Sequence, residues 1–305
     1  MPSPVVSGSA RVRGRFRAVS KGCNSVFGKH LGVAEQVSRP QLLWPGLVLL
    51  LSPAALVGGV STPAVACITS TTTSDTVTNN GCINTSGFLQ YGILSSGANA
   101  AINNTNSGTI TTSGVIAYAI SSFGANATIN NSGTITTTGI AAMGIAAGGA
   151  NAAINNSGTI TTSGVEAFGI YSFAANTAVT NSGTITTSGI EAHGILVQGT
   201  GATISNLGTI TTGGNAFGIR VWAATGSVAT LTNAQGGNTP LTYSGALPTT
   251  YTVLVRSLSN FGRLAVTSPS GTMTFGVDAT STLAANRYTD VLTGVAAADI
   301  TNEET

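Results

Sequence analysis

Residues 156–164 read NSGTITTSG, and residues 131–139 and 181–189 carry NSGTITTTG and NSGTITTSG. The phrase stands again at 106–114, and a variant stands at 206–214. The Asn that opens the phrase falls at Asn106, Asn131, Asn156, Asn181 and Asn206, a strict period of 25. Degenerate copies put Asn79 and Asn233 in the same column. A fixed period of this size marks a stacked repeat rather than a chain folded around one central core.

The columns around the Asn say what is stacked. An apolar residue stands two positions before it at Val77, Ile129, Ile154, Val179, Ile204 and Leu231. The copy at Asn106 carries two extra residues, so its Ile102 stands four before. A second column lies four after the Asn (Ile83, Ile110, Ile135, Ile160, Ile185, Ile210), and a third holds Ile93, Ile120, Ile145, Ile170, Ile195 and Ile219. Each Ile sits between small or polar neighbours, as in GTITT, which is period-two alternation over a very short strand. No helical spacing is present. Three short strands per 25 residues, joined by Asn/Gly turns, predict a right-handed parallel β-helix, all-β, of about seven coils. Coils would stack about 4.8 Å apart and enclose an Ile/Val shaft that no single coil could bury. The expected turn ladder is Asn79, Asn106, Asn131, Asn156, Asn181, Asn206 and Asn233. Asn tolerates the left-handed backbone of a tight turn and can bond to its copies above and below. The Ser-Gly that follows would let the chain turn.

Composition agrees with ordered β-structure. Charged residues make up 7% of the chain, against about 25% in ordinary globular proteins, while Ile, Val and Thr are regularly placed. The charge is uneven: seven of the eleven basic residues lie in the first 39 positions. An apolar run from Leu42 to Val60 and the small-x-small Ala64-Val65-Ala66 follow. Basic segment, apolar segment and cleavage-type site predict a long secretory signal peptide over 1–66. Pro45, Pro53 and Gly58-Gly59 argue against a membrane span of about 20 residues. The expected divisions are then 67–236 for the repeats and 237–305 for a C-terminal β capping segment. From residue 67 onward four Arg face eight acids, so no basic stripe remains for a nucleic-acid partner. Cys67 and Cys82 would form a disulfide in an oxidising compartment.

Further columns bear on function. Tyr91, Tyr118, Met143, Phe168, His193 and Phe217 share one register, and Phe123, Phe173 and Trp222 another. Stacked aromatics read first as packing, with His193 standing in for an aromatic. Glu166 and Glu191 are 25 apart, hence neighbours on adjacent coils, and the expectation is two exposed carboxylates on a solvated face. No catalytic, metal or cofactor site is expected. A β-helical polysaccharide-degrading enzyme is the alternative, because glycosidases need two carboxylates about 5–10 Å apart. A remote alternative is an ice-binding solenoid, since the TIT phrases (Thr109/Thr111 to Thr209/Thr211) form two threonine columns, which resemble the ice-binding faces of β-helical antifreeze proteins.

After Gly237 the period stops. An aromatic-Gly-x-Leu-x-Val element (Phe261, Gly262, Leu264, Val266) is followed by Phe275-Gly276-Val277 and by Tyr288-x-x-Val291-Leu292. This layout resembles the region that closes the β-helix in passenger domains of Gram-negative autotransporters, the pertactin-like group. The long basic leader and the NSGTI-type coils are similar to that family too. The resemblance implies export, passage across the outer membrane through a translocator barrel, and display at the cell surface or release. It implies an adhesin-like or structural role toward host or neighbouring cells. The sequence ends at ADITNEET without the strands of such a barrel, so the chain is expected to be a fragment, a truncated gene product or a passenger whose translocator is encoded separately.

Overall fold

The computed structural model describes residues 68–301, except 223 and 238, and the backbone of Arg17–Val19. The predicted leader over 1–66 otherwise lies outside the described residues, as does Cys67. Cys82 is a free, exposed thiol, and the Cys67–Cys82 bridge has no described partner on which to stand. The fold is a parallel β-helix of about nine turns. Among the described residues the only helix is one short 3₁₀ turn, Ala297–Asp299.

Three sheets run along the rod, and every strand pair within them is parallel. Sheet A begins with Arg17–Val19 laid against Thr76–Asn79 and ends at Thr274–Val277. Sheet B runs from Ile68–Ser70 to Leu292–Thr293. Sheet C holds six strands, from Cys82–Thr85 to Thr209–Thr212. The register is strict: Ile135 pairs with Ile110 on one side and Ile160 on the other, and Ile185 continues to Ile210. The three predicted apolar columns therefore form the shaft, with Ile102, Ile129 and Ile154 0% exposed and every other member buried.

Two turns beyond the predicted seven come from the C-terminal segment. It continues the stack through Leu241–Ala246 and Leu264–Ser270 in sheet B, and through Thr250–Val253 and Thr274–Val277 in sheet A. What ends near residue 212 is sheet C alone. An open strand edge there would leave a row of backbone donors and acceptors exposed. Gln235 covers it. Its Oε1 accepts from the Ile210 N–H at 2.7 Å, and its Nε2 donates to the Ile210 carbonyl at 2.9 Å. One side-chain amide thus stands in for the peptide of a seventh strand. Gln235→Ala would leave two buried backbone groups without partners, at about 1–3 kcal/mol each. We expect a loss of about 3 kcal/mol in urea unfolding, against about 0.5 kcal/mol or less for an exposed substitution such as Thr211→Ser.

The Asn column departs from the expected turn ladder in position and in purpose. Its members are buried at 0–1% exposure at the inward ends of the sheet A strands. The second rung is Asn104, not Asn106: Asn79 pairs with Asn104 and Asn104 with Asn131. Asn106 is exposed, because the two extra residues bulge out after the strand and leave its in–out alternation intact. Nδ2 of each rung donates to Oδ1 of the next: Asn79 to Asn104 at 2.8 Å, Asn104 to Asn131 at 2.7 Å, Asn131 to Asn156 at 2.7 Å. The chain continues through Asn181, Asn206 and Asn233 at 2.8, 2.9 and 3.2 Å. Such a network is tolerable in a core because its amides satisfy one another. The Asn residues with positive φ are different ones, Asn99, Asn126, Asn151 and Asn176. They form a second, exposed ladder in which each Nδ2 donates back to the preceding coil at 3.1–3.2 Å.

The glycine of NSGTI also has another cause than a left-handed backbone. A Cβ on Gly158 would lie 2.1 Å from the Gly133 carbonyl oxygen, and one on Gly183 2.1 Å from that of Gly158. The chain passes so close to the coil below that only hydrogen fits. The threonines of TITT divide their labour. The first and third face outward, while the fourth is turned inward and from Thr137 onward its hydroxyl holds the next turn, as Thr137 does by donating to the Ala142 carbonyl at 2.6 Å.

Candidate functional site

The surface with the most chemistry lies where the turn after sheet C meets the outer face of sheet B. In four consecutive strands of sheet B, from Ile120–Ser122 to Ile195–Val197, both faces are buried. The inward face lines the shaft. The outward face packs into a second apolar cluster that includes Tyr91, Tyr118, Met143, Phe168, Tyr171 and Leu196. The aromatic column found in the sequence is thus packing, as expected: Tyr91 and Tyr118 lie 5.2 Å apart, and His193 stacks between Phe168 at 5.6 Å and Phe217 at 5.8 Å. The second column closes over it from outside, Phe123 and Phe173 meeting edge-to-face at 5.9 Å above Gly148. This external core is the part that sequence reasoning missed. Its signal was that sheet B strands such as Ile145-Ala146-Ala147 do not alternate polar residues outward.

His193 is 3% exposed, and its Nδ1 accepts a hydrogen bond from the Phe217 N–H at 3.0 Å. Burial, and secondarily the Arg220 guanidinium, push its pKa down to about 4. It is a neutral ring in a stack, with its acceptor already engaged. The sign of the pH effect follows. Between about pH 6.5 and about pH 4 the unfolded chain binds a proton that the folded chain refuses, so stability falls as pH falls through that window. We expect a loss of up to about 3 kcal/mol by pH 4 relative to pH 7, read by urea unfolding. His193→Phe should remove most of that loss.

The two glutamates lie on adjacent coils, as expected. Glu166 and Glu191 occupy equivalent left-handed turn positions, φ 54° and 51°, which Leu89, Ile116 and Ala141 occupy in the preceding coils. The Glu166 N–H donates to the Ile190 carbonyl at 2.9 Å, joining the two turns. Glu191 is exposed, but Glu166 is only half-exposed, with Oε2 buried and lacking a hydrogen bond. Burial, and then the charge of Glu191, raise the Glu166 pKa. A half-shielded carboxylate beside a second one can bind a cation or carry a proton. Among the described residues, no three His, Cys, Asp or Glu side chains come together as metal ligands. The TIT threonines lie in register on the outer face of sheet C, as expected.

No helix of the described residues is long and apolar enough to cross a membrane. No family model matches the chain, and no match was found among curated proteins or solved structures.

Proposed function

We propose that the protein is an exported, non-enzymatic rod of the autotransporter-passenger type, displayed at the cell surface or released, with an adhesin-like or structural role. One observation carries the reading: a leader with a basic segment, an apolar segment and an Ala-x-Ala site precedes a stiff solenoid whose coils offer long, weakly charged faces. A regular solenoid suits extended contact surfaces, since its faces repeat every coil. Few charges and no cationic stripe suit contact with other surfaces better than with nucleic acid. Sheet A and sheet B continue through the segment that resembles the closing region of passenger domains, with Leu264 and Leu292 paired in sheet B. That pairing supports reading the segment as the stable end of the rod.

The test is expression of the full chain in a Gram-negative host, with fractionation and N-terminal sequencing of the product. A product that begins near Cys67 and is recovered outside the inner membrane is the expected result. An intact chain retained in the cytoplasm would overturn the reading. A reducing-sugar assay on pectin and other polyuronates checks the non-enzymatic part. Turnover abolished by Glu166→Ala would replace the rod by a polysaccharide-degrading enzyme.

A further inference from the structure

Beside the external core runs a file of apolar side chains, one per coil: Phe88, Ile140, Val165 and Ile190 are exposed and Val115 is half-buried. Phe88 is 58% exposed, Ile140 44%, Val165 41% and Ile190 66%. Backbone bonds from Leu89 to Val115, Ile116 to Ile140, Ala141 to Val165 and Glu166 to Ile190 keep the file in register. Exposed apolar patches of a few hundred square ångströms mark contact sites. We propose that this file, with Glu166 and Glu191 along its edge, is a docking surface for a cationic amphipathic helix laid parallel to the rod axis.

Two observations select that occupant. The first is pitch. Coils repeat about every 4.8 Å. Along a helix, residues three or four apart advance about 4.5 or 6 Å, so one apolar side chain can meet each coil. Along an extended strand, side chains on one face advance about 6.8 Å and fall out of step within two coils. Five coil positions span about 19 Å, which a helix of about 13 residues covers. The second observation is charge. Glu166 and Glu191 sit one coil apart at the Val165–Ile190 end. Among the described residues neither makes an ion pair, and Oε2 of Glu166 is shielded without any donor. Arg220, further along the same flank, is occupied over the Phe217 ring at 5.8 Å. Lys or Arg side chains three or four apart on the helix would reach both carboxylates while its apolar stripe covers the file. A second copy of the chain would instead press unpaired carboxylates against apolar side chains. The surface belongs to the folded rod and holds whether or not the chain is exported.

Isothermal titration of the full chain with a 14-residue amphipathic peptide of leucine and lysine tests the proposal, with the same peptide carrying glutamate for lysine as control. We expect saturable one-to-one binding of the lysine peptide and none of the glutamate peptide. The E166Q/E191Q pair, and Ile190→Ser separately, should each weaken binding at least about tenfold, about 1.4 kcal/mol. Thr161→Ser, on the outer face of sheet C, should leave it unchanged. Circular dichroism of each variant verifies that the rod is folded. Absence of binding, or binding indifferent to both sets of substitutions, would overturn the proposal. So would a chain that sediments as a dimer and becomes monomeric on Ile140→Ser, which would assign the file to a second copy.

Discussion

Asn156→Ala is expected to lower the unfolding free energy by about 4 kcal/mol. The residue sits in the middle of the inner ladder at 1% exposure. Its Oδ1 takes the Asn131 amide at 2.7 Å and its Nδ2 feeds Asn181 at 2.8 Å. Truncation leaves a donor below and an acceptor above, both walled off from water, at about 1–3 kcal/mol apiece. Asn155, one residue earlier, is the internal control. It belongs to an exposed ladder, donating to Asn130 at 2.9 Å. There water can replace the lost partner, so Asn155→Ala should cost about 0.5 kcal/mol. Urea unfolding of both variants reads the difference. Equal costs would mean that the inner ladder is not a closed network.

Gly164→Ala is the second large effect. Its Cβ would lie 1.9 Å from the Gly139 carbonyl oxygen and 2.5 Å from the carbonyl carbon. Gly114, Gly139 and Gly189 meet the same axial contact at 1.9 Å. One methyl group pointing along the stack must push two coils apart, and the strands on either side share that displacement. Overpacking of this kind costs about 3 kcal/mol, and here the obstacle is backbone, which cannot rotate away. We expect a lower urea midpoint and a smaller soluble yield. Ser163→Ala, the adjacent exposed position, should leave both within about 0.5 kcal/mol of the parent.

The first prediction concerns a residue that the sequence singled out for a different reason. The Asn and Gly columns were visible as columns, yet their expected role was that of turn residues with unusual backbone angles. Alternation within the strand was the better guide. In AINN and TINN the Asn stands two after an inward Ile, so it too points into the shaft. The same spacing, two after the inward Ile102, identifies Asn104 rather than Asn106. The phrase NSGTI hid this, because an insertion of two residues can be placed on either side of an Asn with equal formal ease. Glu166 and Glu191 were correctly read as neighbours, but the shielding of Glu166 was not legible. It depends on the coils packed around its turn, whose equivalent positions Leu89, Ile116 and Ala141 belong to the cluster outside the shaft.

The amino-acid sequence by itself determined the solenoid, its period and the three inward columns. Each coil states the same local alternation, and one short strand can bury its Ile only by stacking on a copy of itself. Tertiary structure alone decided where the pattern stops and what lies beside it. Gln235 closes sheet C from 25 residues beyond Ile210, two more coils are built without any repeat, and a second apolar core assembles outside the shaft. Those features arise from contacts between coils, which depend on register and on the path of each turn, and a single period carries no record of either.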